Sequence, residues 1–231
     1  MKRVVNLYRT SIGKKTIMAV TGFVFVAFVI VHMIGNLKIF YPAHDGVHKI
    51  DVYGEYLRTV GYPIFARGQV LWIVRITLIG LALLHIWSAI STWLMSRSAR
   101  PVGYQVVKPV SSTIASRTMR IGGIVIAVFI IFHLLNLTTG DIFPGGTFEH
   151  GAVHANMVAN FAVWWVTAFY VIAMLFLGLH LYHGVWSAFQ TLGVSNPRYN
   201  SWRRCLAWFV AILVTAGNIS IPLAILIGKV H

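Results

Sequence analysis

Five stretches of the chain, at roughly residues 16–37, 69–95, 119–138, 157–188 and 205–228, are long and apolar enough to cross a bilayer as helices. About 20 mostly apolar residues suffice for one crossing, so a chain with five such runs has few folds open to it. The expectation is an all-α integral membrane protein of five transmembrane helices, the first four forming a cofactor-binding bundle, with residues 1–231 as one domain. The composition agrees: 58% of the 231 residues are hydrophobic and only 10% charged, and the mean hydropathy is +0.75, far from the balance of a soluble domain.

The first stretch follows Lys14 and Lys15, as the core of a secretory signal would, but it is too long for one and lacks a small-residue cleavage site. It is read as a retained helix. A single cysteine, Cys205, excludes an intramolecular disulfide, a Cys-ligated iron–sulfur cluster and covalent haem attachment through C-x-x-C-H.

A net charge of +14 would suit nucleic acid in a soluble chain. In a membrane protein the placement of the basic residues matters more than their sum, and nucleic acid is not an expected partner. Lys2, Arg3, Arg9, Lys14, Lys15, Arg97, Arg100, Lys108, Arg117, Arg120, Arg198, Arg203 and Arg204 all fall on one side of a five-helix order. Asp45, Asp51, Glu55, Asp141 and Glu149, which are all the acids, fall on the other. The Lys/Arg bias makes the first side cytoplasmic, with the N-terminus inside and the C-terminus outside.

The longest segments between the apolar runs, about 38–68 and 96–118, are too short for a nucleotide-binding or catalytic domain. No Gly-rich phosphate loop and no Ser/His/Asp arrangement is present. Substrate chemistry must therefore be supplied by partner subunits. The fifth stretch carries Asn218 and Pro222 but no histidine, and reads as scaffold with a kink at the proline.

Each of the other four stretches holds a histidine, and ionisable residues inside a membrane are costly enough to be functional by default. Depth sorts His32, His85, His133 and His180 into two pairs. His32 and His133 sit near the outer ends of their helices, about five residues or ~7 Å below the boundary. His85 and His180 lie about 11 residues, ~16 Å, deeper. Two histidines facing across a bundle at one depth suit bis-imidazole ligation of a non-covalent haem b. Such an iron has no open position, which favours electron transfer over oxygen chemistry. Polar contacts between helices are the plainer explanation for one histidine, and imidazole also suits non-haem metals, but neither layer offers a nearby third ligand. Gly122 precedes His133 by 11 residues, on nearly the same helix face, where a porphyrin edge can approach. Arg75 lies ~15 Å to the outer side of His85, at the depth of the outer pair, either meeting a propionate or snorkelling to the surface. His44 with His48, and His150 with His154, are i, i+4 pairs in the outer loops; they would share a face if helical, though solvated loop residues are the expectation.

With these residues in place the chain resembles the di-haem cytochrome b membrane-anchor subunit of succinate dehydrogenases and fumarate reductases. The resemblance rests on His32 followed by Asn36, the His85 helix, the run SRTMRIGG leading to His133, and HLYHGVWSAFQTLG beginning at His180. It implies that His32 and His133 bind a distal haem and His85 and His180 a proximal one. It also implies a flavoprotein subunit and an iron–sulfur subunit docked on the cytoplasmic side, passing electrons from succinate to membrane quinone, with menaquinone as the expected acceptor. Glu55 is the first choice and Asp51 the second for an acid near the quinone. His183 stands where relatives often carry asparagine, so one helix offers two candidate ligands. A haem anchor for a hydrogenase or formate dehydrogenase, and a histidine-lined transporter, are the alternatives.

Overall fold

The computed structural model describes residues 7–99 and 114–231, so Lys2, Arg3, Arg100 and Lys108 of the basic set lie outside the described residues. The described chain is all helix: α1 (Ser11–Asn36), α2 (Lys49–Thr59), α3 (Gln69–Ser98), α4 (Ile114–Leu134), α5 (Val153–Phe161), α6 (Trp164–Thr191) and α7 (Pro197–Leu226). Five of these, α1, α3, α4, α6 and α7, are long and apolar enough to cross a membrane, the first running on through a 3-10 turn at Leu37–Phe40. The protein is a multi-pass membrane bundle. Local chemistry sets several of the helix starts. Thr10 accepts the Gly13 amide ahead of α1, and Asn196 accepts the Arg198 amide ahead of α7, which opens with Pro197.

Two departures from the sequence reading concern short helices at the acidic end of the bundle. The apolar run 157–188 is not one helix: Val163 is extended between α5 and α6, and the Thr167 hydroxyl donates to the Phe161 carbonyl at 2.8 Å, occupying an acceptor the break would otherwise leave open. The segment 38–68 contains α2, which docks on α5. Together α2 and α5 cap the acidic end. In α7 the helix continues through Pro222 to Leu226.

The long helices are held unequally. Helix α6 is central and packs on α1, α4 and α7. Its closest seam is with α7, where a Cβ on Gly178 would overlap the Thr215 hydroxyl at 2.4 Å; on α7 itself a Cβ on Gly217 would overlap Met33 of α1 at 2.3 Å. Small residues at such points let membrane helices approach. Among the described residues, helix α3 packs along α1 and touches the cap helix α2, but forms no comparable seam with α4 or α6. Ser88 is its one buried residue.

Candidate functional site

The half-buried imidazoles of the long helices meet in two pairs. His32 of α1 and His133 of α4 have ring centroids 5.9 Å apart at an interplanar angle of 86°. Each is backed by an aromatic ring one turn earlier on its own helix: Phe28 stacks on His32 at 5.4 Å, and Phe129 on His133 at 5.6 Å. His85 of α3 and His180 of α6 form the other pair, with centroids 6.4 Å apart. Phe25 meets the His85 ring edge-on at 5.9 Å, and a Cβ on Gly22 would lie 3.7 Å from its Cε1. Among the described residues no third His, Cys, Asp or Glu joins either pair to make a three-ligand metal set.

A buried polar network orients His133. Immediately after it, α4 widens into a π turn at Leu135–Thr139 that carries the fully buried Asn136 inward. Asn136 donates from Nδ2 to the Ile142 carbonyl at 2.9 Å and to Asn160 Oδ1 at 2.8 Å; Asn160 returns a bond from its own Nδ2 at 2.9 Å. The Tyr170 hydroxyl therefore has only Asn136 Oδ1 to donate to, at 2.8 Å, and its lone pair accepts from His133 Nδ1–H at 3.2 Å. Nε2 of His133 is left with its lone pair free, as ligation requires. In the other layer the Thr21 hydroxyl gives its one proton to the Ile17 carbonyl at 2.8 Å, so at 2.8 Å it accepts from His85 Nδ1–H. This histidine too presents a bare Nε2. Sequence reasoning missed Tyr170, Asn136, Asn160 and Thr21. The two asparagines were detectable as polar residues within apolar runs.

His180 and His183 each have a buried Nδ1 with no hydrogen-bond partner. His180 faces His85, whereas the nearest ring to His183 is Trp186, at 6.5 Å. Gly122 faces Phe176 of α6, 3.4 Å from a Cβ placed there. Arg75 is half-buried, with its guanidinium 5.1 Å from the Trp72 ring centroid on the same helix.

At the cap, Asp51 and Glu55 line an open groove of about 560 Å3 with Val47, Val52, Tyr56, Thr59 and Gly151. Glu55 pairs with Arg67 at 2.5 Å and Arg58 at 3.7 Å, and Asp51 accepts the His154 amide at 2.8 Å. The i, i+4 loop histidines do not share helix faces: His44 and His150 are exposed, His48 precedes α2, and His154 is in α5. The contact that forms is His48 on His154, flat rings 3.4 Å apart. Burial, reinforced by His48 and His231 against the opposing pull of Asp51, holds the His154 pKa below its ordinary 6.5.

A helical membrane bundle with two facing histidine pairs in its interior is the class of protein that this geometry defines. The chain belongs to the succinate dehydrogenase/fumarate reductase transmembrane subunit family, which matches residues 96–219, more than half of its length. It is thus a membrane-anchor subunit of that redox complex. The matched stretch includes His133 and His180, while His32 and His85 precede it. No curated protein and no solved structure matches the chain.

Proposed function

We propose that this subunit carries electrons from a cytoplasmic iron–sulfur subunit to membrane quinone through two non-covalent b haems, a proximal one between His85 and His180 and a distal one between His32 and His133. The spacing of the pairs is the observation that carries the reading. Two metal–imidazole bonds of about 2 Å each separate ring centroids by roughly 6 Å, against 6.4 and 5.9 Å here. A pair without a third protein ligand suits a metal already held by a macrocycle. A haem supplies one-electron chemistry when bound. The chain's own contribution is to hold Nε2 of His85 and His133 forward through Thr21 and Tyr170, and to keep water from the paired rings by packing.

The flavoprotein and iron–sulfur subunits would dock at the basic end, which also attracts anionic lipid. The quinone, menaquinone in this reading, would meet the groove at the acidic end, with Glu55 first and Asp51 second as the acid near a quinone oxygen. Glu55 is held by ion pairs to Arg67 and Arg58, so it would relay a proton only as those pairs loosen. The deciding measurement is a redox difference spectrum of the purified subunit with haem quantification. Two haems per chain are expected, and their absence sinks the proposal.

A further inference from the structure

The end of the bundle opposite the cap contains an arginine that the chain itself has no means to neutralise. Arg203, in the second turn of α7, is fully buried. Its Nη2 donates to Asn200 Oδ1, while Nε and Nη1 are enclosed without partners. A guanidinium does not shed its proton in a protein, and a buried charge is costly unless paired. The usual partner is a carboxylate. All five in this chain, Asp45, Asp51, Glu55, Asp141 and Glu149, belong to segments at the other end. The compensating anion must therefore belong to another molecule.

The surroundings of Arg203 narrow its source. Helices α6 and α7 pair Tyr182 with Trp208 at 4.5 Å, Trp186 with the Arg204 guanidinium at 5.6 Å, and Phe189 with Trp202 at 5.8 Å. In that antiparallel register Arg203 is level with Ala188, about eight residues or ~12 Å from the level of His180. Gly184, one turn along α6 from His180, has space beside it: a Cβ there would meet nothing within 4 Å. A lipid phosphate or an acidic side chain of a docked protein would arrive from outside the bundle, where Arg198 and Arg204 are already exposed. An enclosed guanidinium calls for an anion housed between the helices. Other donors of the same layer are also unpaired, Ser88 Oγ and His180 Nδ1 among them, whereas the outer layer is closed by its asparagine pair.

We infer that Arg203 seats a carboxylate of the cofactor held between His85 and His180, namely a propionate of the proximal haem. This rests on the two-haem reading above. Redox titration of the purified complex tests it in Arg203→Met and Arg203→Lys. Loss of a cation beside a haem makes an electron harder to add. In Arg203→Met the haem that disappears in His180→Ala should show a lowered, newly pH-dependent midpoint, the other haem should not move, and Arg203→Lys should restore most of the difference.

Should Arg203→Met fail to accumulate, the unaltered chain decides. Apoprotein filled with haem dimethyl ester, which has no carboxylate, should bind about tenfold more weakly than with protohaem in one layer only. Unmoved midpoints for both haems in Arg203→Met, or equal affinity for the two porphyrins, overturn the inference. Release of the iron–sulfur subunit or of bound phospholipid by that variant, with both haems unmoved, also overturns it and reassigns the anion to partner or lipid. An unaltered complex without haem removes the two-haem reading and this inference with it, which keeps the two failures distinct.

Discussion

The orientation of His133 depends on one proton, on Nδ1, whose acceptor is fixed three side chains away. Asn136 and Asn160 spend their amides on each other and on the Ile142 carbonyl, so Tyr170 has one acceptor left and receives from the imidazole. Such a partner raises the basicity of a ligating histidine. Tyr170→Phe should therefore retain both haems and raise the midpoint of the distal one alone by tens of mV, the scale of one hydrogen bond in a one-electron couple; redox titration checks it. The two α6 histidines should separate cleanly: three positions turn a helix by about 300°, so their rings diverge by about 60°, and it is His180 that faces His85. His180→Ala should abolish the proximal haem spectrum, while His183→Ala keeps both haems. Glu55→Gln should slow quinone reduction at full haem content; unchanged turnover and quinone affinity would discard Glu55 as the proton relay.

Among the elements, the seam between α6 and α7 tolerates no added atom at Gly178. Gly178→Ala puts a methyl group against the Thr215 hydroxyl and should cost about 1–3 kcal/mol. Thr215→Ala should recover most of it, because that hydroxyl is buried and unbonded; thermal unfolding in detergent compares the three. The cap responds to pH. His154 binds its proton less readily folded than unfolded, so the stability it contributes is complete above about pH 6.5 and is lost as pH falls toward its depressed folded value. Amide exchange of α2 and α5, corrected for intrinsic rate, should quicken over that interval and level out in His154→Phe. The five long helices were legible from hydropathy because lipid demands it of every span. The break at Val163 was not, since apolar residues continue across it and a Thr167 side chain, not a change in composition, ends α5. Helix α2 escaped because its eleven residues are too short and too polar to register in a search for apolar spans.

At the scale of the molecule, the order of the spans along the sequence assigns thirteen of the nineteen lysines and arginines to one side and all five acids to the other. A reporter fused after His231 should be external and one inserted near Val107 cytoplasmic; the opposite result would invert both histidine layers. Depth along the helices was enough to sort the four intramembrane histidines, since rise per residue is constant. The hydrogen bonds around them join residues far apart in the chain, and a single sequence does not carry that information.

Helix α3 leans on α1 and the cap and leaves its flank toward α4 and α6 without a seam, which bears on biogenesis. A bundle with one loosely hung wall can be threaded into the bilayer first and receive a flat, bulky guest sideways afterwards, the guest then riveting that wall to the centre. Chains made under haem starvation should accordingly persist in the membrane for a time, with α3 their most readily cleaved span, and become protease-resistant when haem is returned without new protein synthesis.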